Sequence, residues 1–436
     1  MSEENTLDSD AKLRNPKGTM DFLPDEQYYR NNIKRVLENT FESYGFLPLE
    51  TPILCYFDLL SSKYAGGSEI LKEVYKLSDQ GDRKLGLRYD LTIPFTKVVG
   101  MNPNLRLPFK RYEIAKVFRD GPVKLGRNRE FTQCDVDVVG TSSLSAEAEL
   151  MNMAVDIFEK LELEVYISYN NRKLLSGLLQ ALGIPSCDIN QVILSLDKIE
   201  KIGREGVRNE LFNLLLSDET IDDLFSVLDN GLEQFSSFSD PLFLEGLKEL
   251  KELEALLDAV EITNKTRFNP FLARGLEIYT GTVFEIYLVD SSSLSSSLGG
   301  GGRYDNAIGG LLENGNKYPA VGISFGLEPI YVALTLSAKQ KRSSPIDILV
   351  IPMKTPGESL KICRELRKSG LIISLDTSEK KLKKSLDFAS KEGIKYTIVV
   401  GSSEIESQCL NLKNMDTGEV TSIPMSELSN IKSFIT

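Results

Sequence analysis

Residues 109–140, FKRYEIAKVFRDGPVKLGRNREFTQCDVDVVG, constrain the fold more than any other stretch of this chain. They read as two strands joined by a loop rich in glycine and basic residues, a hairpin pattern. Strand side chains alternate between faces. From Arg129 onward one face carries Arg129, Phe131, Gln133, Asp135 and Asp137. The other carries Thr132, Cys134, Val136 and Val138, flanked by Glu130, and is mostly core material. The first face gathers a cation, an aromatic ring, an amide and two carboxylates. A solvated sheet face would look similar. Two features favour a ligand site. Arg119 closes the preceding strand, so two guanidinium groups can converge on one anion. The aromatic ring lies among the polar groups, as a nucleotide site requires.

The chain has 436 residues, enough for two to four domains. Its 41% hydrophobic and 26% charged content is that of a soluble globular protein. No apolar run approaches the ~18 residues of a membrane span. The opening MSEENTLDSDAKLRNPKG has neither the basic nor the apolar region of a secretory signal, so a cytoplasmic location is expected. Five dispersed cysteines with no CxxC pair fit reduced thiols and give no metal framework. The net charge of −12 argues against generic nucleic-acid binding but leaves room for a local basic site. Residues 344–436 hold 13 basic against 12 acidic side chains, so the acidity belongs to the front of the chain. There is no histidine and no tryptophan. Zero histidine excludes Ser-His-Asp and Cys-His catalysis, histidine-ligated metals and histidine bases. Chemistry here must rest on carboxylates, Arg, Lys, Tyr and backbone groups, with or without a bound metal.

Taken in order, residues 1–13 are polar and expected to be disordered. Residues 25–44 have helical spacing, with Tyr29, Ile33, Val36, Leu37 and Phe41 on one face. FLPLETPILCYFDLL reads as a strand bent at Pro48 and Pro52. Lys72–Thr92 predicts a hairpin around Asp79–Asp82, with Arg88, Asp90 and Thr92 on one face. Residues of about 171–263 form a leucine-rich helical insertion. Strands return at Asn269–Asp290, and the glycine run of GGGGRYD brings the backbone close to something, without being a P-loop or a Rossmann turn. After a polar linker (339–345), residues 346–436 alternate βαβαβ with continuous apolar strands, the pattern of a small α/β domain.

At this point the chain resembles the histidyl-tRNA synthetases, class II aminoacyl-tRNA synthetases, along nearly its whole length. The likeness is carried by RNPKGTMDFLP, LPLETP (motif 1, with Pro52 at the dimer-interface proline), LRYDLT, FRD…GRNREFTQCDVD (motif 2), ARGLEIYTGTVFE, GGGRYD and the tail from DILVIPM onward. The fold implied is an α+β class II catalytic core over residues 14–338, an antiparallel sheet flanked by helices with the helical insertion, followed by an anticodon-binding domain. The activity implied is ATP-dependent attachment of L-histidine to histidine tRNA through histidyl-adenylate, by a cytoplasmic homodimer with Mg²⁺ on the phosphates.

The resemblance also implies residue roles. Asp90, Leu91 and Thr92 would border the histidine α-amino group, helped by Gln133. Asp137 and Tyr279 would read the imidazole, with Ile278 and Tyr304 lining the pocket. Arg119 and Arg274 would grip the α-phosphate and the amino-acid carboxylate, as the catalytic cations. Arg129 would hold the outer phosphates and Phe131 would stack on adenine. Lys124 and Arg127 would meet the tRNA acceptor end. Asp135 receives no role and is expected to be structural. Three positions depart from the family pattern: Pro329 replaces an arginine of motif 3, Ile278 replaces the first of two tyrosines, and Thr132 precedes Gln133 where some members carry histidine. The rival readings are a synthetase paralogue serving as a histidine-binding regulatory subunit, and a sensor of uncharged tRNA. An enzyme that charges histidine yet contains none is one a cell can make during histidine starvation.

Overall fold

The computed structural model describes residues 13–62, 70–230, 238–274, 278–292, 294–337 and 344–435. Most of the expected tail (1–13) and linker (339–345) lies outside them. The chain divides into two compact units, Met1–Asp21 with Arg30–Ser337, and Phe22–Tyr29 with Ala338–Thr436.

Strands of the first unit are β1 (Leu47–Pro48), β2 (Leu54–Tyr56), β3 (Lys76–Ser78), β4 (Lys84–Leu87), β5 (Phe109–Phe118), β6 (Glu130–Val139), β7 (Val165–Asn171), β8 (Thr266–Phe268), β9 (Thr282–Leu288), β10 (Gly299–Arg303) and β11 (Ala320–Gly326). Eight form the main sheet, in the order β1-β5-β6-β11-β10-β9-β7-β8, and β2-β4-β3 form a small one. The centre of the main sheet is antiparallel, while its outer pairs β1–β5 and β7–β8 are parallel. The hairpin expected at 109–140 is β5–β6, in register from Phe109 opposite Val139 to Phe118 opposite Glu130.

The single bent strand expected at Phe46–Leu60 is instead two. β1 joins the edge of the main sheet and β2 the small sheet. Proline lacks an N–H and cannot continue a ladder in mid-sheet, so Pro48 and Pro52 separate the pairings.

Helix α1 (Pro24–Ser43) buries Ile33, Leu37 and Phe41, spaced at four residues. Phe41 meets the sheet at Phe325 and Tyr112, at 5.8 and 5.5 Å between ring centroids. Helix α2 (Thr92–Met101) follows the second hairpin, and α3 (Ser145–Lys160) follows β6. Phe158 of α3 adds a third ring, 6.1 Å from Phe325. These contacts seal the face of β6 that carries Cys134, Val136 and Val138, all buried. The polar face of the same strand therefore points to the other side of the sheet.

Between β7 and β8 lie α4 (Arg172–Ala181), α5 (Ile189–Leu196), α6 (Ile199–Asn213), α7 (Asp218–Asn230) and α8 (Pro241–Ala259). Asn171 opens the run by accepting from the Lys173 and Leu174 amides. Helix α9 (Leu327–Leu336) continues directly from β11.

In the second unit β12 (Ile348–Pro352), α10 (Pro356–Lys368), β13 (Ile373–Leu375), α11 (Leu382–Lys391) and β14 (Tyr396–Val400) make the expected βαβαβ unit, and β15 (Cys409–Asn414) and β16 (Val420–Pro424) extend it. The order is β13-β12-β14-β15-β16, parallel through β14 and antiparallel beyond. Ile348 and Val350 pack with Ile362 and Leu366 on one side, and Leu349 and Ile351 pack with Ala389 and Ile394 on the other. Both faces are covered, as the continuous apolar runs require. No described helix is long and apolar enough to cross a membrane.

Candidate active site

The register of three strands builds the site. Opposite Asp135 stand Glu113 on β5 and Ser324 on β11; opposite Asp137 stand Arg111 and Gly322. Directly opposed residues share a face, so β6 carries its polar row between these neighbours. Arg111 is fully buried, with Nη2 2.6 Å from Asp137 Oδ2 and its guanidinium carbon 4.3 Å from the Phe95 ring centre. Glu113 lies 3.8 Å from Arg111 Nη1 and is held more closely by Arg88 Nη1 at 2.9 Å and by the Thr51 amide and hydroxyl at 3.0 and 2.9 Å. Arg88, placed by alternation beside Asp90, thus turns into the interior and serves Glu113.

Tyr304 donates its hydroxyl to Asp137 Oδ1 at 2.5 Å. Gln133 Nε2 donates to Ser324 Oγ at 2.9 Å. A Cβ on Gly322 would stand 2.0 Å from Asp137 Oδ1, and one on Gly300 would stand 1.9 Å from Arg274 Nη1. Only glycine lets these side chains lie on the strands. Burial pushes the Asp135 carboxyl up to about 7, with Arg111 pulling down and Asp137 pushing up. Asp90 rises to about 6, again through burial, against its bond to the Ile93 amide and the pull of Arg119. Asp137 is also raised by burial, opposed by Arg111 and the Tyr304 hydrogen bond.

Thr92, Asp135, Asp137, Ile278, Tyr279, Tyr304 and the glycines of β10 enclose one slot of about 30 Å³, room for about one water. Asp90 Oδ1 accepts from the Ile93 amide at 3.1 Å, capping α2. Leu91, between Asp90 and Thr92, has a fully buried side chain, and its carbonyl accepts from Arg111 Nη2 at 3.3 Å. Arg274 has φ +49°, lies 5.5 Å from the Tyr279 ring centre, donates to the Phe284 carbonyl at 3.2 Å and stands 3.5 Å from Glu285.

Towards the loop end of β6, Arg119 donates Nε to the Tyr89 carbonyl at 2.9 Å and lays its guanidinium 5.1 Å from the Phe131 ring centre. Arg129 pairs with Asp120 at 2.9 Å. Lys124 and Arg127 bond each other through their backbones, and line a second cavity of about 510 Å³ with Asp197, Lys201, Glu285 and Tyr287. Pro329 is the third residue of α9 and lies beside this loop, 3.6 Å from where a Cβ on Gly126 would be.

Two contributors escaped the sequence. Asp135, expected to be structural, lines the slot; its shared alternation with Gln133 and Asp137 was the available signal. Glu328, buried next to Pro329, accepts from the Thr132 amide at 2.9 Å and from Arg30 at 2.7 Å, and so pins β6 from α9. No pattern in the sequence marks that long-range bond. Among the described residues, no three Cys, Asp or Glu side chains come together as a metal site.

Known proteins agree with this layout. The family model described as Histidyl-tRNA synthetase matches residues 18–330, and one described as Anticodon binding domain matches residues 347–432. The chain is 54% identical over 425 residues to Histidine--tRNA ligase 1 of Bacillus thuringiensis subsp. konkukian, covering 96% of this chain and 99% of that one. It is 35% identical to the Histidine--tRNA ligase of Clostridium tetani, covering 95% and 96%. The crystal structure of histidyl-tRNA synthetase from Nostoc sp. PCC 7120 superposes with a TM-score of 0.84 at 28% identity, covering 97% of this chain and 99% of that one. A family model that spans the whole slot, and more than half of all residues shared with a ligase along its full length, leave one conclusion: the chain belongs to the histidyl-tRNA synthetase family.

Proposed function

We propose that histidine and ATP meet along the polar face of β6 and that each residue there takes a distinct part. The observation that carries this reading is the division of that one face. Its loop end holds Arg119 over Phe131, and its far end holds the carboxylates and phenols of the slot. The first suits a nucleotide and its phosphates, the second a polar amino-acid side chain.

In the first step a carboxylate oxygen of histidine attacks the α-phosphorus of ATP and pyrophosphate leaves. The nucleophile belongs to the substrate, so the protein supplies position and positive charge. Arg119 and Arg274 hold the α-phosphate and the carboxylate; Arg274 leaves Glu285 as the anions arrive. Arg129 takes the outer phosphates and Phe131 the adenine. Asp90, Thr92 and Gln133 hold the α-ammonium, and Asp137, Tyr279, Tyr304 and Ile278 surround the ring. In the second step the terminal ribose hydroxyl of the tRNA attacks the acyl carbon and AMP leaves, with Lys124 and Arg127 at the acceptor end. Mg²⁺ would come with ATP as part of the substrate and would offset the charge of its phosphates. Leu47, Ile53, Leu54 and Tyr56 around Pro52 are 41–66% exposed, an apolar strip that suits a homodimer contact. The setting is the cytoplasm, where its tRNA is.

The test is histidine-dependent ATP–pyrophosphate exchange and aminoacylation of histidine tRNA. Wild type performs both, and Arg274→Ala lowers the exchange kcat roughly 10²–10³-fold. Tight tRNA binding with no exchange would overturn the reading.

A further inference from the structure

The helical insertion between β7 and β8 grips the chain just ahead of Arg274. Residues 270–274 follow β8, and their main-chain groups are spent on the root of that insertion. Asn170, 1% exposed near the end of β7, donates Nδ2 to the carbonyls of Pro270 and Leu272 at 3.0 and 2.8 Å. Arg172, buried at the first position of α4, donates Nη1 to the Ala273 carbonyl at 3.4 Å. Its Nη2 donates to Asn190 Oδ1 on α5 at 3.1 Å. Asp197, the residue that closes α5, accepts from the Arg274 amide. The Ala273 carbonyl and the Arg274 amide are two halves of one peptide group. A trans peptide points them in opposite directions, so Arg172 and Asp197 close on it from opposite sides.

The conformation held there is not one that arginine prefers. Arg274 has φ +49°, in the left-handed region, where a residue with a Cβ is disfavoured and persists only when its surroundings hold it. The guanidinium lies over the bare Cα of Gly300, donates to the Phe284 carbonyl at 3.2 Å and stands 3.5 Å from Glu285. Asp197 faces Glu285 and Lys201 across the cavity of about 510 Å³ that the three line together. Lys198, beside Asp197, is paired with Glu210 of α6 at 2.9 Å.

We propose that Arg172 and Asp197 are positioning residues for the first step: through them the insertion clamps the Ala273–Arg274 peptide and aims the Arg274 guanidinium. This rests on Arg274 being a cation of that step. It gives the helical insertion a part in amino-acid activation itself, before any tRNA is bound. Misplacing a reacting group by ~1 Å can cost on the order of 10²-fold in rate, and neither clamp residue needs to touch substrate for that.

The experiment is histidine-dependent ATP–pyrophosphate exchange by the full chain without tRNA. The variants are Arg274→Ala, Asp197→Ala, Asp197→Asn, Asn190→Ala and the double variant Asp197→Ala with Arg274→Ala. Asp197 is half-buried and Asn190 exposed, so their truncations should melt near wild type. Asp197→Ala should lower the exchange kcat on the order of 10–100-fold, with the KM values for histidine and ATP within about threefold. Asp197→Asn keeps an acceptor for the amide and should restore kcat to within about fivefold of wild type. In the double variant the loss from Asp197→Ala should vanish, because Asp197 acts through Arg274. Asn190→Ala loosens Arg172 from α5 without altering the clamp, and should lower kcat by roughly 3–10-fold, a loss that also vanishes without Arg274. This second variant decides the matter should Asp197→Ala not fold. Wild-type kcat in the folded truncations overturns the proposal, and so does a loss as large without Arg274 as with it. With Arg274→Ala strongly impaired, such a result leaves the reading of Arg274 standing. Arg274→Ala that exchanges at the wild-type rate overturns both.

Discussion

Asp135→Asn should make the protein more stable at neutral pH, by an amount that grows as pH rises. The folded carboxyl titrates at about 7 because it is buried, whereas an unfolded aspartate titrates near ~3.9. A folded value above the unfolded one means the native state holds the proton more tightly. The stability this contributes is complete below pH ~4 and is lost as pH rises through about 7. The full gap of about three pKa units corresponds to roughly 4 kcal/mol. Between pH 5 and pH 8 the loss amounts to about 2–3 kcal/mol by the same linkage relation. Asparagine keeps the shape, has no charge to desolvate, and removes this slope.

The measurement is unusually clean in this chain. The side chains that normally titrate between pH 5 and 8 are histidines, and there are none. Competing slopes of the same sign come from Asp90, at about 6 and worth about 1–1.5 kcal/mol over this range, and from Asp137, which burial also raises; both remain in the variant. Urea midpoints for the unliganded protein, taken at intervals from pH 5 to pH 8, should fall for wild type and fall markedly less for Asp135→Asn. The two curves should converge only towards pH ~4, and their separation should grow from pH 5 to pH 8. Parallel curves would refute the assignment of the raised carboxyl to Asp135.

Other perturbations test the surrounding parts. Tyr304→Phe removes the donor to a buried Asp137 oxygen and should cost ~1–3 kcal/mol by denaturant titration; a cost under about 0.5 kcal/mol would show that the bond is replaced by water. Gly322→Ala places a methyl 2.0 Å from Asp137 Oδ1, so the KM for histidine should rise in exchange assays while that for ATP holds; an unchanged histidine KM would mean Asp137 moves aside freely. Lys380, Lys381, Lys383 and Lys384 are all exposed at α11. Their joint replacement by Ala should weaken tRNA binding and flatten its salt dependence by up to ~0.7–0.9 for each phosphate no longer neutralised; an unaltered slope would place the RNA on another surface. Because the chain contains no histidine, its synthesis should persist or rise in cells limited for histidine, and quantitative immunoblotting that finds neither would remove starvation as the reason.

The hairpin at the centre of the site was readable because it states its structure twice. A period of two and a core face of Cys134, Val136 and Val138 leave one register of inside and outside. The α/β unit at the end was readable for a similar reason, since continuous apolar strands separated by amphipathic helices have few other arrangements. What the sequence withheld was lateral. Alternation put Asp135 and Asp137 on one face as equals. They differ only because β5 sets Arg111 beside one and Glu113 beside the other, and β11 sets Gly322 and Ser324. That register is decided by packing across the sheet, which no local pattern records. The glycine run of β10 hid for a different reason. With no side chains it shows no alternation, yet its bareness makes the floor on which Arg274 and Tyr279 lie. Glu328 hid because its partners, Arg30 and Thr132, are far away in sequence and one of them is a backbone amide.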